Sequence, residues 1–235
     1  MHSHILPNFD DGAKNVEESL TLIDELKQQG VYHICLTPHF YTNELSLDDY
    51  LVKRQEAYEA FLPYIPNDVE IVLGSEVYVT DYMFNNSDLS GITYGKSRYM
   101  LTEFSYQNSF LEKTFQRFYM LTQNYGIIPV MPHIERYDRL MAHPDKILQL
   151  KELGVVIQTN ITNYTQKAPF FLKRKLLKMI DRGLIDIIGS DTHSMTHNTP
   201  TVFAEAMQTI TQKCGSRTMN RMMRTAQKIF EEAQG

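Results

Sequence analysis

Short runs that are apolar almost from end to end recur along this chain, and most are followed by a stretch with helical spacing. VYHICLTP (31–38), VEIVLGSEVYV (69–79), RYMLTEF (98–104), IIPVMPH (127–133), VVIQTNI (155–161) and LIDIIGSD (184–191) read as strands buried on both faces. Val16, Leu20, Ile23 and Leu26 fall at helical spacing, and Gly30 closes that helix. Further helices are expected over 48–61, from Leu111 through Phe118 to before Gly126, and over 144–153, 169–182, 200–213 and 217–233. Strands of this kind followed by helices imply a parallel sheet. With the first residues counted as a strand there are roughly seven strand–helix units, for which a closed barrel is the natural architecture and a doubly wound open sheet the alternative. No repeat or low-complexity linker divides the 235 residues, so one domain, 1–235, is expected.

Composition narrows the class. Hydrophobic residues at 43% suffice for a large core, and a formal net charge of −5 argues against a dedicated nucleic-acid binder while leaving room for a local basic patch. MHSHILPNFDDG lacks the features of a secretory signal, and no 18 apolar residues run together, so a cytoplasmic protein with no integral membrane segment is expected. Cys35 and Cys214 are too few for a disulfide framework. Arg221 lies seven positions after Cys214, not at the spacing of a C-x5-R phosphate loop, and no P-loop or G-x-G-x-x-G fingerprint occurs.

The chemistry gathers at the strand ends. His2 and His4 form an H-x-H pair in the first extended stretch, where residues two apart share a face, and Asp10 and Asp11 precede Gly12. His39 follows the first apolar strand, Glu76 lies late in the next, Glu103 and His133 close the following two, and Asp191 and His193 close the last as a D-x-H pair. In barrels that C-terminal edge carries the active site. Ionisable groups on such strands need something to offset their desolvation, and divalent metals do so best. His2, His4, Asp11, His39, Glu76, Glu103, His133, Asp191 and His193 are too many for one ion, so two or three ions sharing carboxylates fit the set. Taken singly each residue has an ordinary reading, and Asp11 before Gly12 is also what begins a turn. Together on one edge they are hard to explain that way. His33, early in its strand, and His143 and His197, in loops, are read as non-ligands.

Four carboxylates and three divalent ions would leave about +2 on the cluster with neutral imidazoles, a charge that attracts phosphate. Such a site lowers the pKa of bound water and holds the oxygens of an in-line displacement. Arg136, in HIERYD, is placed to clamp phosphate oxygens; its alternative is a surface ion pair with Glu135 or Asp138. On the last helix, Arg217, Arg221, Arg224 and Lys228 form a basic stripe opposite Met219, Met222, Ala226 and Ile229, which reads as a solvated face.

The segments HSHILPNFDDG, LTPHF, GSEVY, LTEFS, MPHIERYD and GSDTH resemble, in order from residue 2 to residue 193, the PHP (polymerase and histidinol phosphatase) superfamily. HILP-x-x-DDG and H-x-E-R resemble its CpsB/YwqE-type bacterial protein-tyrosine phosphatases more narrowly. The resemblance implies a distorted (β/α)7 TIM-like barrel and a three-metal site of manganese, iron or zinc, with the family's nine ligands falling on the nine residues above and its catalytic arginine on Arg136. Arg136, Asp191 and His193 are thereby the expected catalytic residues. It also implies a phosphotyrosine protein substrate, the tyrosine-rich tail of a bacterial kinase that controls capsule or exopolysaccharide export. Two departures stand out: His2 follows Met1 directly, where family members carry a few residues more, and a second arginine found in some members falls here near Asn198.

The expected reaction is attack of a metal-bound hydroxide on phosphorus. A histidinol-phosphatase-like action on a small phosphoester is the close rival, and a nuclease is disfavoured by the acidic charge. A metal-loaded protein that binds phosphotyrosine without turnover is the non-enzymatic alternative.

Overall fold

The computed structural model describes all 235 residues. Its strands are β1 (His33–Leu36), β2 (His39–Tyr41), β3 (Glu70–Leu73), β4 (Glu76–Tyr78), β5 (Tyr99–Glu103), β6 (Ile128–Met131), β7 (Val156–Asn160) and β8 (Ile187–Gly189). The helices are α1 (Val16–Gln28), α2 (Leu47–Phe61), α3 (Glu112–Tyr119), α4 (Asp138–Ala142), α5 (Pro144–Glu152), α6 (Phe170–Asp181), α7 (Phe203–Cys214) and α8 (Ser216–Gln234). Every strand pair is parallel, β1 with β3 and then β2-β4-β5-β6-β7-β8 in order. This is the α/β architecture with a parallel sheet that the buried strands require.

Two of the expected strands differ from expectation. Pro38 has no N–H to give to a ladder, so β1 stops short within the run 31–38, and pairing resumes beyond that run as β2, which was not expected. The second divides opposite it, at Gly74 and Ser75, into β3 and β4. The halves still run on, since Gly74 N–H donates to Leu36 C=O at 2.8 Å and Glu76 N–H to Pro38 C=O at 3.0 Å. The helix expected up to Gly126 also changes register, its last part, Met120–Asn124, widening into a π turn. The N-terminal residues form no regular strand. They nevertheless lie between the two ends of the strand array: Thr37 N–H donates to Ser3 C=O (2.9 Å), His4 N–H to Thr192 C=O (2.8 Å) and Asp191 N–H to His2 C=O (2.9 Å).

Alternation of side chains then sorts the core. Cys35, Val72, Leu101, Val130 and Ile187, from five strands, meet in one cluster covered by Ile229, Phe230 and Ala233 of α8. A second cluster packs Leu22, Ile23 and Leu26 of α1 on Ile34 and Leu36. The largest joins the remaining strands to the outer helices. Each fully buried Leu, Ile or Phe contributes about 1.5–3 kcal/mol. On α8 the apolar positions Met219, Met222 and Ile229 are buried and Arg217, Arg221, Arg224 and Lys228 exposed, the solvated basic face expected of it. No helix is long and apolar enough to cross a membrane.

Candidate metal centre

His2 and His4 flank Ser3, whose backbone is held on both sides by the bonds just described, so both imidazoles point into the rim formed by the strand ends. Both are fully buried. Their Nε2 atoms lie 3.2 Å apart. Each stands 3.1 Å from Glu76 Oε2, and they lie 3.2 and 3.4 Å from Asp191 Oδ1. The parallel register sets His39 beside Glu76 and Tyr78 beside Glu103. His39 Nδ1 is 3.2 Å from Glu76 Oε2, and His133 Nε2 is 2.9 Å from Glu76 Oε1 and 3.5 Å from Glu103 Oε1. Asp11, at the exposed mouth, lies 3.6 Å from His39 Nε2 and 3.4 Å from His193 Nε2. The nine residues singled out in the sequence thus share one rim.

The donor atoms of eight of them fall into three overlapping groups, while His133 stands beside these on Glu76 and Glu103. One joins His2, His4, Glu76 and Asp191, a second His4, Asp11, His39 and His193, and a third His39, Glu76 and Glu103. The chemistry of these donors fits divalent cations. His4 Nδ1 is 2.7 Å from Asp10 Oδ2 and donates its proton there, which leaves the Nε2 lone pair of a neutral ring aimed at carboxylate oxygens. Acceptors facing acceptors in a buried site repel unless a cation stands among them. Among the protein's own groups that cation is a proton on His4. Burial disfavours it, but the hydrogen bonds it donates to Asp10, Asp191 and Glu76 raise this imidazole well above its ordinary pKa. For Glu76, burial is outweighed by the charge of His2 and the hydrogen bond of His133, which hold the carboxyl well below its usual range.

Environment separates the remaining groups. Burial, reinforced by the charge of Glu76, pushes Glu103 up to about 7. Burial and the charge of His4 hold His193 down at about 4. His193 Nδ1 donates to Asp191 C=O at 2.7 Å, which turns Nε2 toward the cluster. Asp191 divides its work: Oδ1 faces the imidazoles, while Oδ2 accepts from Arg136 Nη2 (2.8 Å), Asn160 Nδ2 (2.7 Å) and Asn198 Nδ2 (2.8 Å). Asp191 and His133 also adopt left-handed backbone conformations, φ 52° and 33°. Such positions cost about 1–3 kcal/mol each and concentrate at functional sites.

A cavity of about 350 Å³ opens over the cluster, lined also by Tyr41, Tyr78, Tyr106, Arg136 and His197. Arg136 makes neither of the surface ion pairs weighed for it. Its Nη1 donates to Tyr106 Oη at 2.9 Å and its Nη2 to Asp191, while Glu135 accepts from Asn160 N–H and Asn163 Nδ2. His33 pairs with Glu70 on the outside, His143 precedes α5, and His197 lies against the ring of His193; none of the three joins a donor group. Cys35 is buried in β1, and Cys214 ends α7 rather than lying in the turn after it.

The family description "Capsular polysaccharide synthesis, CpsB/CapC" matches residues 1–231. The chain belongs to the CpsB/CapC family. It is 30% identical to tyrosine-protein phosphatase CpsB of Streptococcus agalactiae over 98% of this chain and 97% of the relative. It is 26% identical to tyrosine-protein phosphatase YwqE of Bacillus subtilis over 92% of this chain and 85% of that one. A solved structure from work on YwqE of B. subtilis and CpsB of Streptococcus pneumoniae, described as unique metal-dependent tyrosine phosphatases, superposes with a TM-score of 0.82. It does so at 22% identity over 98% of this chain and 93% of its own, a likeness of fold.

In this CpsB/CapC chain, several residues that sequence reasoning passed over complete the rim. Asp10, taken only as the neighbour of Asp11, is the more buried member of the pair. Its Oδ2 accepts from His4 and from His39 N–H (2.9 Å), and its Oδ1 from Gly12 N–H (3.0 Å). A side chain on Gly12 would strike the backbone of His4, which makes glycine obligatory at that turn. Gln158 reaches His2 Nδ1 at 3.0 Å across space left by Gly189, where a Cβ would collide with its amide. Asn160 ends β7 on the same rim and was visible there, but as a neutral residue it drew no attention. Asn198, at the place of the family's further arginine, offers a neutral donor to Asp191 in its stead.

Proposed function

We propose that this chain is a metal-dependent protein-tyrosine phosphatase. One observation carries the reading: imidazole and carboxylate lone pairs from the N-terminal segment and from several strands converge on a buried centre that opens, beside Arg136, into a cavity edged by three tyrosines. The family membership and the names of the relatives support it.

His2, His4, Asp11, His39, Glu76, Glu103, His133, Asp191 and His193 would hold up to three divalent ions. The mixed nitrogen and oxygen donors are compatible with manganese, iron or zinc, and the family resemblance favours manganese. When bound, the ions supply neutralisation of phosphate charge and acidification of water. Arg136 keeps its charge throughout, since Asp191 and Tyr106 raise its pKa despite burial, and its guanidinium binds phosphoryl oxygens in two-point fashion. Tyr106 holds that guanidinium in place, and Tyr41, Tyr78 and Tyr106 offer aromatic edges to the ring of the substrate. Asn160 and Asn198 fix the outer oxygen of Asp191. A phenolate leaves with little protonation, so no side chain need serve as a dedicated acid.

We take the chain as one domain, 1–235, and its sheet as a distorted (β/α)7 barrel closed through residues 2–4; the backbone bonds from Ser3, His2 and His4 to Thr37, Asp191 and Thr192 support this. The proposed substrate is the phosphorylated tail of a bacterial tyrosine kinase governing capsule or exopolysaccharide synthesis, and the free cysteines agree with a cytoplasmic setting.

Steady-state turnover of a phosphotyrosine peptide beside histidinol phosphate tests the substrate class. The peptide should be preferred in kcat/KM, and a strong preference for histidinol phosphate would overturn it. Asn198 favours one second reading, binding without turnover, because a neutral amide replaces a cationic clamp. Tight peptide binding with no phosphate release in manganese buffer would establish that instead.

A further inference from the structure

Away from the metal centre, residues 167–182 depart sharply from the rest of the chain. Lys167, Lys173, Arg174, Lys175, Lys178 and Arg182 face one acid, Asp181, within a protein whose net charge is −5. Two large apolar side chains head this segment in open solvent. Phe170 is 64% and Phe171 83% exposed, and their rings lie edge to face with centroids 5.6 Å apart.

Helical spacing arranges the segment into a surface. Phe170, Arg174, Lys178 and Arg182 fall four apart in one row, with Phe171 and Lys175 in the row beside it. The opposite side is anchored, since Leu176, Met179 and Ile180 are buried and Lys173 Nζ donates to Thr165 C=O at 2.8 Å. The remaining cations are exposed, and the chain's lysine and arginine ion pairs all lie elsewhere. The two rings therefore sit on a rigid helix start with unpaired positive charge behind them. This start follows β7, so it stands on the same rim as the metal centre.

We propose that this face of α6 adsorbs to an anionic lipid surface, Phe170 and Phe171 entering the headgroup boundary while Lys167, Arg174, Lys175 and Lys178 meet the lipid charges. Exposed aromatic residues flanked by lysine and arginine are the combination that interfacial binding uses, apolar burial and electrostatic attraction acting together. Projecting rings suit a fluid interface, whereas a peptide partner is better held by a groove. The inference does not depend on the phosphatase reading, and adsorption would set the mouth of the site beside the membrane.

Vesicle flotation of the intact chain provides the test, using phosphatidylcholine vesicles with and without about 30% phosphatidylglycerol, in low and 0.5 M salt. The protein should bind the anionic vesicles at least tenfold more tightly than the neutral ones, and salt should weaken this. Phe170→Ser with Phe171→Ser, and separately Arg174→Glu with Lys175→Glu, should each weaken binding at least tenfold. Arg217→Glu with Arg224→Glu on α8, a basic face without exposed aromatics, should leave it unchanged. Circular dichroism should show all variants folded, as expected for exposed side chains. Equal binding to both vesicle types, binding indifferent to the α6 variants, or capture of a polyglutamate peptide without vesicle binding would each overturn the proposal.

Discussion

Asp10 Oδ2 stands 2.7 Å from His4 Nδ1, and this contact decides which nitrogen of His4 faces the carboxylates. Partners of this kind set the tautomer and orientation of a ligating imidazole, and losing one typically costs 10–100-fold in metal affinity. Asp10→Ala should therefore weaken manganese binding by about that factor while the fold persists, as titration calorimetry and circular dichroism would show. Unchanged affinity would mean that His4 is oriented by something else.

Gln158 makes the matching contact to His2. Its Nε2 lies 3.0 Å from His2 Nδ1, and its Oε1 is buried without a partner. The oxygen and nitrogen of an amide interchange at no steric cost. With the oxygen on Nδ1–H, that acceptor is satisfied and the His2 Nε2 lone pair is left for a metal. Gln158→Leu should lower bound metal about tenfold, and Gln158→Glu, which keeps an acceptor, should restore most of it. Metal analysis and the imidazole nitrogen shifts of His2 would register both, and equal loss in the two variants would indicate packing alone.

Burial and the neighbouring Glu76 push Glu103 up to about 7, so as a ligand it must lose a proton that it holds below that pH. Metal uptake should weaken as pH falls below 7 and release protons there. In chelated protein the sign reverses. The raised carboxyl contributes stability fully below the unfolded value of about 4.3 and loses it as pH rises through about 7. Thermal melts with chelator at pH 5 and pH 8 should show the wild type losing more stability over that interval than Glu103→Gln. Identical slopes would contradict the burial argument.

Burial pushes the thiols of Cys35 and Cys214 up to about 11 and about 12, so neither is a thiolate nucleophile at neutral pH. Iodoacetamide at pH 7.5 should leave phosphatase activity intact. Rapid inactivation would point to thiol chemistry after all.

The sequence was most legible where one physical constraint acts alone. An unbroken apolar run such as IIPVM (127–131) admits few readings except a buried strand, and charged residues at the ends of such runs fall on one edge because parallel strands end together. That is how His39, Glu76, Glu103, His133 and Asp191 could be grouped before their separations were known. Legibility failed where the choice depended on a turn. Asp10 and Asp11 are equivalent in a linear reading, and only the bend at Gly12 sends one beneath His4 and leaves the other at the mouth. It failed again for neutral partners, since Gln158 and Asn160 look like ordinary strand residues until β7 lies beside β8. The breaks at Pro38 and Gly74 were foreseeable from residue type, though the continuity of the halves across them rests on pairing between strands distant in sequence.

The central claim is best tested by phosphate release from a phosphotyrosine peptide in manganese buffer, with bound metal counted in the same samples, for wild type, His193→Ala and Arg136→Ala. Both variants should lose turnover by about 10²-fold or more, with metal lost mainly from His193→Ala. A wild-type chain that is fully metal-loaded and releases no phosphate would contradict the account.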